Sequence, residues 1–273
     1  MNTEKRCFDD QAARFDRRAG LPDELCPQLA RSLLELCRAS SGDLLLEIGA
    51  GTGQIGRHLH GVVRYLGLDL SAPMLGQFRR RAGARLVQAD ADQDWPVAGA
   101  SVRILFGSRV FHLLESQHLS KEAYRVAHPE GAVLLSGQIR RHPDSVQARM
   151  RQEMRRLLKQ QGWPGKSRRH SFDSLLESAC QRGAVPISPI VAARWEVSAT
   201  PRHSIEAWKG KKGLAGVFPS PQAKQQVLQE LADWAETSLG SLDRQFQSEQ
   251  TYVLEGFRVP GSRFQVSDSK SSV

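Results

Sequence analysis

The sequence predicts an α/β fold built on a doubly wound, largely parallel sheet. Short apolar runs alternate with segments of helical periodicity between residues 43 and 136. Because parallel strands need a crossover that is usually a helix, this alternation is typical of βαβ units. A cluster of glycines after the first apolar run adds a strand–turn–helix signal. With 273 residues, the chain has the length of one large domain or two small ones.

The predicted elements follow the chain in order. Residues 3–37 carry apolar side chains at spacings of three and four, which predicts two helices separated around Gly20–Pro22. Residues 43–48 are a strand because the apolar run stops at the glycine cluster. The same criteria predict a helix at 54–59, a strand at 63–68, a helix at 73–80, strands at 85–88 and 102–106, a helix at 121–126 and a strand at 132–136.

The alternation stops after residue 137. In residues 138–189 the pattern predicts two helices joined by a Gly-Trp-Pro-Gly turn. After them it predicts a strand at 190–198, helices at 204–208 and 221–239, and a last strand at 251–259. This pattern indicates four segments. They are an N-terminal helical cap (1–40), a core (41–137 and 190–260), a helical insertion (138–189) and a polar, disordered tail (261–273).

The net charge of +9 is concentrated in the insertion. Residues 140–170 hold ten Lys or Arg against two acids, a local charge of +8. Such a charge could attract an anionic small substrate, an acidic carrier protein, an anionic membrane or nucleic acid. Nucleic acid is the less favoured partner because no aromatic interleaving accompanies the charge. We expect a cytoplasmic protein without membrane segments, since no apolar run approaches the roughly 20 residues that span a bilayer.

Metal chemistry is not indicated. The four cysteines stand singly, with no Cys-x-x-Cys pair and no histidine at ligand spacing. We therefore predict reduced thiols and no metal site.

The glycine loop, residues 47–53 (EIGAGTG), predicts a cofactor site with two possible ligands. Residues 51–56 satisfy the G-x-G-x-x-G dinucleotide fingerprint, and Asp69 stands where a ribose-binding acid is expected. However, the Glu47 carboxylate would oppose a pyrophosphate, whereas it suits the ammonium and sulfonium of S-adenosylmethionine. Asp90, after the third strand, could accept a hydrogen bond from an adenine amine. The chain also ends in a helix and a strand rather than in a substrate domain, so S-adenosylmethionine is favoured over NAD.

Four segments follow one another along the first half of the chain: LLEIGAGTG (45–53), GLDLSAPML (67–75), QADA (88–91) and RVAHPEG (125–131). In this order they resemble the motifs of class I S-adenosylmethionine-dependent methyltransferases, and most closely the type 11 group of quinone and malonyl-carrier-protein methyltransferases. The resemblance extends over about residues 8–137. It implies a Rossmann-like doubly wound, seven-stranded and mostly parallel sheet with an antiparallel last strand and a helical lid insertion, and it implies S-adenosylmethionine as cofactor with S-adenosylhomocysteine as product.

The resemblance also implies which residues bind the cofactor. Glu47 would lie near the amino group, Asp69 would bind the ribose hydroxyls, and Asp90 would accept from the adenine amine. Met74 suits the core as well as the adenine, and Gly56 suits helix packing as well as ligand contact. The complete implied set is Phe15, Glu47, Gly49, Ala50, Gly51, Gly53, Asp69, Leu70, Met74, Asp90, Ala91 and Ser108.

The acceptor side is predicted from the segment after the fourth strand. Methyl transfer is an in-line displacement that depends mainly on alignment, so a general base is optional. His112 is the candidate base because imidazole titrates near neutrality. Arg109 is the candidate ligand for a substrate carboxylate. Both residues also have structural interpretations, a packed or solvated histidine and a surface arginine.

The working hypothesis is a small-molecule methyltransferase whose lid carries a basic face. Four positions at helical spacing make that face, and each also suits a solvated helix surface: Arg151, Arg155, Arg156 and Lys159. Alternatives are an O-methyltransferase for a carrier-bound acyl chain, an RNA methyltransferase, and a lyase or cyclase that uses S-adenosylmethionine without donating methyl. An NAD-dependent reductase and a non-catalytic cofactor-binding scaffold come from other classes.

Overall fold

The computed structural model describes Asp16, residues 20–163 and residues 171–261. Within these ranges the chain divides into two compact units. The first holds residue 16, residues 20–139, 171–193 and 252–261, and the second holds residues 140–163 and 194–251. The strands β5, β6 and β7 contribute residues to both.

The helices and strands alternate through the first half of the chain. A 3-10 helix (Asp23–Leu25) and α1 (Cys26–Cys37) precede β1 (Leu44–Ile48), α2 (Gly56–Leu59), β2 (Arg64–Asp69), α3 (Ala72–Arg81) and β3 (Arg85–Gln88). Then come β4 (Ile104–Ser108), a 3-10 helix (Phe111–Leu113), α4 (Ser116–Val126) and β5 (Ala132–Arg141). The remaining elements are α5 (Val146–Gln160), α6 (Ser171–Cys180), β6 (Val185–Ala199), α7 (Pro201–Lys209), α8 (Pro221–Leu239) and β7 (Phe246–Val259).

The strands of the described residues form one seven-stranded sheet in the order β3-β2-β1-β4-β5-β7-β6. Strands β1 to β5 pair in parallel, and β7 runs antiparallel to β5 and β6. The predicted Rossmann-like, mostly parallel sheet with an antiparallel last strand is therefore confirmed. Ser108 is paired with Gly137 and Asp69 with Gln88, so the carboxyl ends of the parallel strands meet at one edge.

The apolar core of the first unit lies between the central strands and the helices α4 and α6. Leu119, Ala123 and Val126 recur at helical spacing on α4 and are fully or almost fully buried. They pack with strand residues such as Leu105 and Leu134 in one cluster. This apolar stripe gives α4 its position, so the helix follows from the periodicity of the sequence.

The predicted insertion, residues 138–189, does not form one unit. Helix α5 packs with α7 and α8 in the second unit through a core that includes Met154 and Leu231. Helix α6 packs instead against α4 in the first unit, where Phe172 and Leu175 join its core. Residues 194–251, predicted as part of the sheet core, belong to the second unit. Helical periodicity shows that each helix has an apolar face, but not which element covers it.

Within the ranges that the structure describes, no helix is both long and apolar enough to cross a membrane. Across the same residues, no three His, Cys, Asp or Glu side chains come together as metal ligands.

A buried carboxylate joins α4 to the segment that follows β3. Glu122 is fully buried, accepts from the Trp95 backbone N–H at 2.8 Å, and forms two hydrogen bonds with Arg125, from Nε at 2.7 Å and from a terminal nitrogen at 2.6 Å. The Arg125 hydrogen bonds hold the pKa of Glu122 below its usual value, with burial opposing them and the Trp95 N–H adding to them. The ion pair therefore satisfies a charge that would otherwise be costly to bury.

Replacement of this carboxylate should weaken the first unit in a pH-dependent way. We expect Glu122→Gln to lower the free energy of unfolding by about 2 kcal/mol at pH 7, because charged hydrogen bonds are lost inside the protein. Because the pKa of Glu122 is lower in the folded state, its ionised form stabilises the protein above the unfolded-state pKa. This contribution is lost as the pH falls below about 4.5, so the stability difference between the variant and the wild type should shrink in acid. Urea unfolding at pH 7 and pH 3.5 measures it. Glu206→Gln, which removes a surface pair with Lys209, should cost less than about 1 kcal/mol. An equal loss of stability in both variants would contradict the stabilising role of the buried Glu122–Arg125 ion pair.

Candidate functional site

The glycine loop after β1 adopts a conformation that favours glycine at three positions. Gly49, Gly51 and Gly53 have φ values of 67°, 55° and 76°, in the left-handed region that other residues rarely occupy. Their surroundings differ. A Cβ at Gly49 would collide with Val110 and one at Gly53 with Phe78, whereas the nearest atom to a Cβ at Gly51 is 3.9 Å away. Among the described residues, Gly51 is therefore the loop glycine at which an added side chain would meet only an ordinary van der Waals contact.

Asp69 fixes the loop to the end of β2. One carboxylate oxygen accepts from the Gly51 backbone N–H at 2.8 Å and the other accepts from the Ser71 backbone N–H at 2.8 Å. The carboxylate therefore joins the loop after β1 to the segment after β2 through two backbone hydrogen bonds. The predicted ribose-binding acid thus also organises the loop.

Glu47 lies inside the first unit. The residue is 2% exposed, and its carboxyl group accepts a hydrogen bond from the Tyr65 hydroxyl. A Cβ at Gly56 would collide with both groups, which supports helix packing as the reason for that glycine. Burial raises the pKa of Glu47 to about 8; the Asp69 charge adds to the rise and the Tyr65 hydrogen bond opposes it. The site therefore holds an acid that is largely neutral near pH 7.

The loop is also tied to Asp16. The Thr52 hydroxyl donates to one Asp16 oxygen at 2.6 Å, and an Arg81 terminal nitrogen donates to the other at 2.5 Å. Arg81 also donates to the Thr52 carbonyl at 3.2 Å. Phe15, predicted to cover the cofactor, lies outside the described residues. Its neighbour Asp16 contacts the loop directly.

The predicted adenine-binding residues follow β2 and β3. Leu70 is 37% exposed, whereas Met74 is 3% exposed and so favours the core. Asp90 accepts from the Asp92 backbone N–H at 3.0 Å, and the Ala91 carbonyl accepts from the Trp95 indole at 3.0 Å. The turn that carries Asp90 and Ala91 is thus internally hydrogen-bonded.

The segment after β4 lies directly beside the glycine loop, because the Val110 side chain occupies the space over Gly49. Arg109 has a φ of 59°, and its backbone N–H donates to the Gly137 carbonyl at 2.8 Å. Burial lowers the pKa of its guanidinium, an effect that neighbouring acidic groups oppose. His112 is exposed on the 3-10 helix, whereas its neighbour Phe111 is buried. Of the two predicted acceptor-side residues, Arg109 is half-buried and His112 is exposed.

Tyr252 on β7 was not predicted from the sequence. Its side chain is fully buried, and its hydroxyl lies 2.7 Å from the Ser108 hydroxyl. A Cβ at Gly137 would collide with the Tyr252 ring. Burial raises the pKa of the Tyr252 phenol, so the phenol stays protonated. No local signal marks Tyr252, because its contacts come from strands more than a hundred residues earlier in the chain.

The basic side chains predicted as a lid face lie on α5, in the second unit. Arg155, Arg156 and Lys159 are exposed and Arg151 is half-buried. Arg156 pairs with Glu153, its Nε lying 3.0 and 2.9 Å from the two carboxylate oxygens. Part of this charge is therefore compensated within the helix.

A cavity of about 610 Å³ lies between α7 and α8 in the second unit. The charged groups along it serve the fold. Arg202 forms a two-pronged ion pair with Asp243 at 2.6 and 2.7 Å, and the Lys224 ammonium donates to the Lys209 carbonyl at 2.7 Å at the end of α7. This cavity does not add to the candidate site.

Comparison with known proteins agrees with the fold. Residues 45–131, from β1 to the turn before β5, match a family model described as a methyltransferase domain. A methyltransferase candidate from Bacillus halodurans C-125 superposes with a TM-score of 0.54 and 16% identity over 85% of this chain and 98% of its own. A type II methyltransferase candidate from Anaeromyxobacter dehalogenans superposes with a TM-score of 0.53 and 18% identity, over 88% of this chain and 96% of its own.

A chain from the complex between the Haloferax volcanii Trm112 methyltransferase activator and a methyltransferase candidate gives a TM-score of 0.51 at 16% identity, covering 93% of this chain and 96% of that one. At such identities these structures show a shared fold. No curated protein matches the chain significantly.

The buried Glu47 should make stability fall as the pH rises. Its folded-state pKa of about 8 exceeds the unfolded value of about 4.3, so its contribution is fully present below the unfolded value and is lost as the pH approaches 8. The slope should be on the order of 1 kcal/mol per pH unit. Glu47→Gln stays neutral and should lack this decline, becoming more stable than the wild type at pH 8. Urea unfolding at pH 5, 6, 7 and 8 measures the difference.

Tyr65→Phe is the matched variant. It removes the donor that favours the charged carboxylate, so the decline should extend to higher pH. Parallel stability curves for the wild type and Glu47→Gln across this range would rule out a neutral Glu47.

Proposed function

We propose that this chain, which carries a methyltransferase domain with the fold of the class I S-adenosylmethionine-dependent enzymes, transfers the methyl group of S-adenosylmethionine to a small-molecule acceptor. The main support is the loop after β1. Asp69 holds it in place, a Cβ at Gly51 would meet no described atom closer than 3.9 Å, and Leu70, which follows Asp69, is exposed. This combination offers backbone groups, an acid and an apolar surface together, as an adenosyl ligand requires.

The residues of the site suit the parts of this cofactor. Asp69 would accept hydrogen bonds from the ribose hydroxyls. Leu70 would cover one face of the adenine, with Asp90 and Ala91 at its edge, and Met74 would support that side from the core. Glu47 and the loop from Gly49 through Ala50, Gly51 and Gly53 would surround the amino acid end, beside Ser108. Bound S-adenosylmethionine supplies an electrophilic methyl carbon on a sulfonium.

Charge supports this cofactor over NAD. Two acids, Glu47 and Asp69, lie close enough for the Asp69 charge to raise the pKa of Glu47. A pyrophosphate would add two negative charges beside the Asp69 carboxylate and the buried Glu47, whereas an ammonium and a sulfonium would compensate the Asp69 charge. A positive ligand would also favour the ionised form of Glu47, which the protein alone disfavours.

The acceptor side requires alignment more than proton transfer. An in-line displacement proceeds once the nucleophile, methyl carbon and sulfur are collinear and water is excluded. His112, exposed on the 3-10 helix after β4, stays the candidate base. Arg109 directly precedes Val110, whose side chain lies over Gly49. We therefore propose a small acceptor, with a carrier-bound acyl chain as the second candidate because of the basic face of α5.

Calorimetry on the purified protein tests the cofactor. We expect S-adenosylmethionine and S-adenosylhomocysteine to bind and NAD to give no signal. Asp69→Asn should weaken S-adenosylhomocysteine binding on the order of 100-fold, since charged hydrogen bonds to the ribose are lost. Arg79→Gln removes an exposed charge on α3 and should leave binding unchanged. Binding of NAD alone would refute the proposal.

The reaction type needs a separate measurement. Incubation with S-adenosylmethionine and a library of small metabolites should release S-adenosylhomocysteine. Methylthioadenosine in its place would indicate lyase or cyclase chemistry instead. Salt-sensitive RNA binding with RNA-dependent turnover would favour a nucleic-acid acceptor.

Gly51→Ala should separate ligand contact from folding. The positive φ of 55° at Gly51 makes alanine strained by about 1 kcal/mol, but the space beside it accommodates a methyl group. We expect a folded protein whose S-adenosylhomocysteine affinity falls at least about 10-fold, because the Cβ projects where the ligand approaches. Gly76→Ala, on α3 with its nearest neighbour 3.9 Å away, is the control. Wild-type affinity in Gly51→Ala would place the ligand elsewhere.

A further inference from the structure

Thr52 is the residue of the glycine loop that is held by side chains from outside the loop. It lies between Gly51 and Gly53, whose φ values are 55° and 76°. Glycine adopts positive and negative φ about equally readily, so the two glycines permit the turn without fixing it. Thr52 is 3% exposed, and its hydroxyl donates to one Asp16 carboxylate oxygen at 2.6 Å. The threonine therefore gives the loop an anchor that its glycines cannot supply.

Arg81, at the end of α3, completes this anchor. One terminal nitrogen of its guanidinium donates to the second Asp16 oxygen at 2.5 Å. The other terminal nitrogen donates to the Thr52 carbonyl at 3.2 Å and to the Thr52 hydroxyl at 3.3 Å. The Arg81 and Asp16 side chains are 29% and 22% exposed. A pair with this exposure adds little to global stability, so we expect its main effect on the loop that it contacts.

Two further contacts join the segment before α1 to the residues that follow the loop. The Gln54 side-chain amide donates to the Leu21 carbonyl at 2.9 Å, and both residues are buried. A terminal nitrogen of Arg57 donates to an Asp23 carboxylate oxygen at 2.5 Å. A change in the loop would therefore disturb contacts on both sides of residue 53. Together with the Thr52 contact, these hydrogen bonds define an N-terminal strap, which consists of Asp16 and residues 20–25.

We propose that Asp16 and Arg81 are positioning residues for the cofactor: they hold Thr52 so that the glycine loop keeps the conformation in which it binds the ligand. Neither side chain contacts the ligand, and each acts through Thr52. Asp69 holds the amide of the preceding residue from the end of β2, so the loop is fixed by two separate segments of the chain. The inference rests on the proposed function and names the groups that keep its cofactor site in order.

This arrangement couples the N-terminal strap to the ligand. A loop that spends only part of its time in the binding conformation binds more weakly by that fraction. Loss of the anchor should therefore lower the affinity although no ligand contact is removed. Coupling between two sites is reciprocal, so a ligand that binds the held loop should also tighten the strap. Both consequences can be measured.

Calorimetry with S-adenosylhomocysteine measures the first consequence. Thr52→Val removes the hydroxyl at nearly constant shape, and Asp16→Asn removes the charge of its acceptor. We expect each to lower the affinity at least about 5-fold, since one hydrogen bond that holds the loop is lost. Thr52→Ser keeps the hydroxyl and should stay within about twofold of the wild type. Arg79→Gln, an exposed charge on α3, should bind as the wild type does. Wild-type affinity in both Thr52→Val and Asp16→Asn would overturn the proposal.

A double-mutant cycle tests whether Asp16 and Arg81 act as one unit. Arg81→Gln alone should weaken binding about as much as Asp16→Asn, and the double variant should lose little more than either single variant, because each change breaks the same network. Melting temperatures without ligand should stay close to that of the wild type in all three. Losses of affinity that multiply in the double variant would show independent effects and contradict the proposed network.

Hydrogen exchange measures the second consequence. Saturating S-adenosylhomocysteine should slow amide exchange in residues 20–25 of the wild type at least about twofold, although these residues lie outside the proposed cofactor site. The protection should be smaller in saturated Asp16→Asn. Unchanged exchange in the saturated wild type would refute the coupling while leaving the proposed function intact. Failure of the wild type to bind S-adenosylhomocysteine would contradict the proposed function itself, and the positioning role with it.

Discussion

The hydrogen bonds of the Asp69 carboxylate organise the candidate site. One of its oxygens holds the Gly51 amide of the loop after β1, and the other holds the Ser71 amide at the start of α3. Two crossover connections are thereby joined at the sheet edge where the parallel strands end. Because the loop must turn sharply through positive φ values, a tether from the neighbouring strand keeps it in one conformation. The ligand-binding acid and the scaffold of the loop are thus one side chain.

The same edge carries groups whose burial has a cost for stability. An amide at position 47 would cost less free energy to bury than the Glu47 carboxylate, since the charged form of Glu47 is disfavoured by burial and by Asp69. Arg109 combines a strained backbone with a partly desolvated charge. Such features are expected where a protein prepares for a ligand of complementary charge. The acid lies at the end of β1, where a cationic cofactor would compensate its charge.

Much of the first unit could be predicted because its signals are local. The apolar run from Leu44 to Ile48, the glycines that follow it and the α4 stripe each fix an element without knowledge of its partners. The contacts that define the site are not local. Tyr65 reaches Glu47 across neighbouring strands, and Tyr252 reaches Ser108 from 144 residues away. The positive φ of Arg109 likewise carries no sequence signal, because it follows from pairing with β5. For the same reason, periodicity could not tell that α5 and α6 join different units.

The position of His112 bears on how acceptors are chosen. A general base must reach the proton it removes, yet methyl transfer to an already ionised or intrinsically nucleophilic atom needs no base at all. The exposed position of His112 fits an acceptor that is aligned by the site rather than activated by it. Selectivity would then come from the geometry that brings the acceptor atom into line with the donor methyl group.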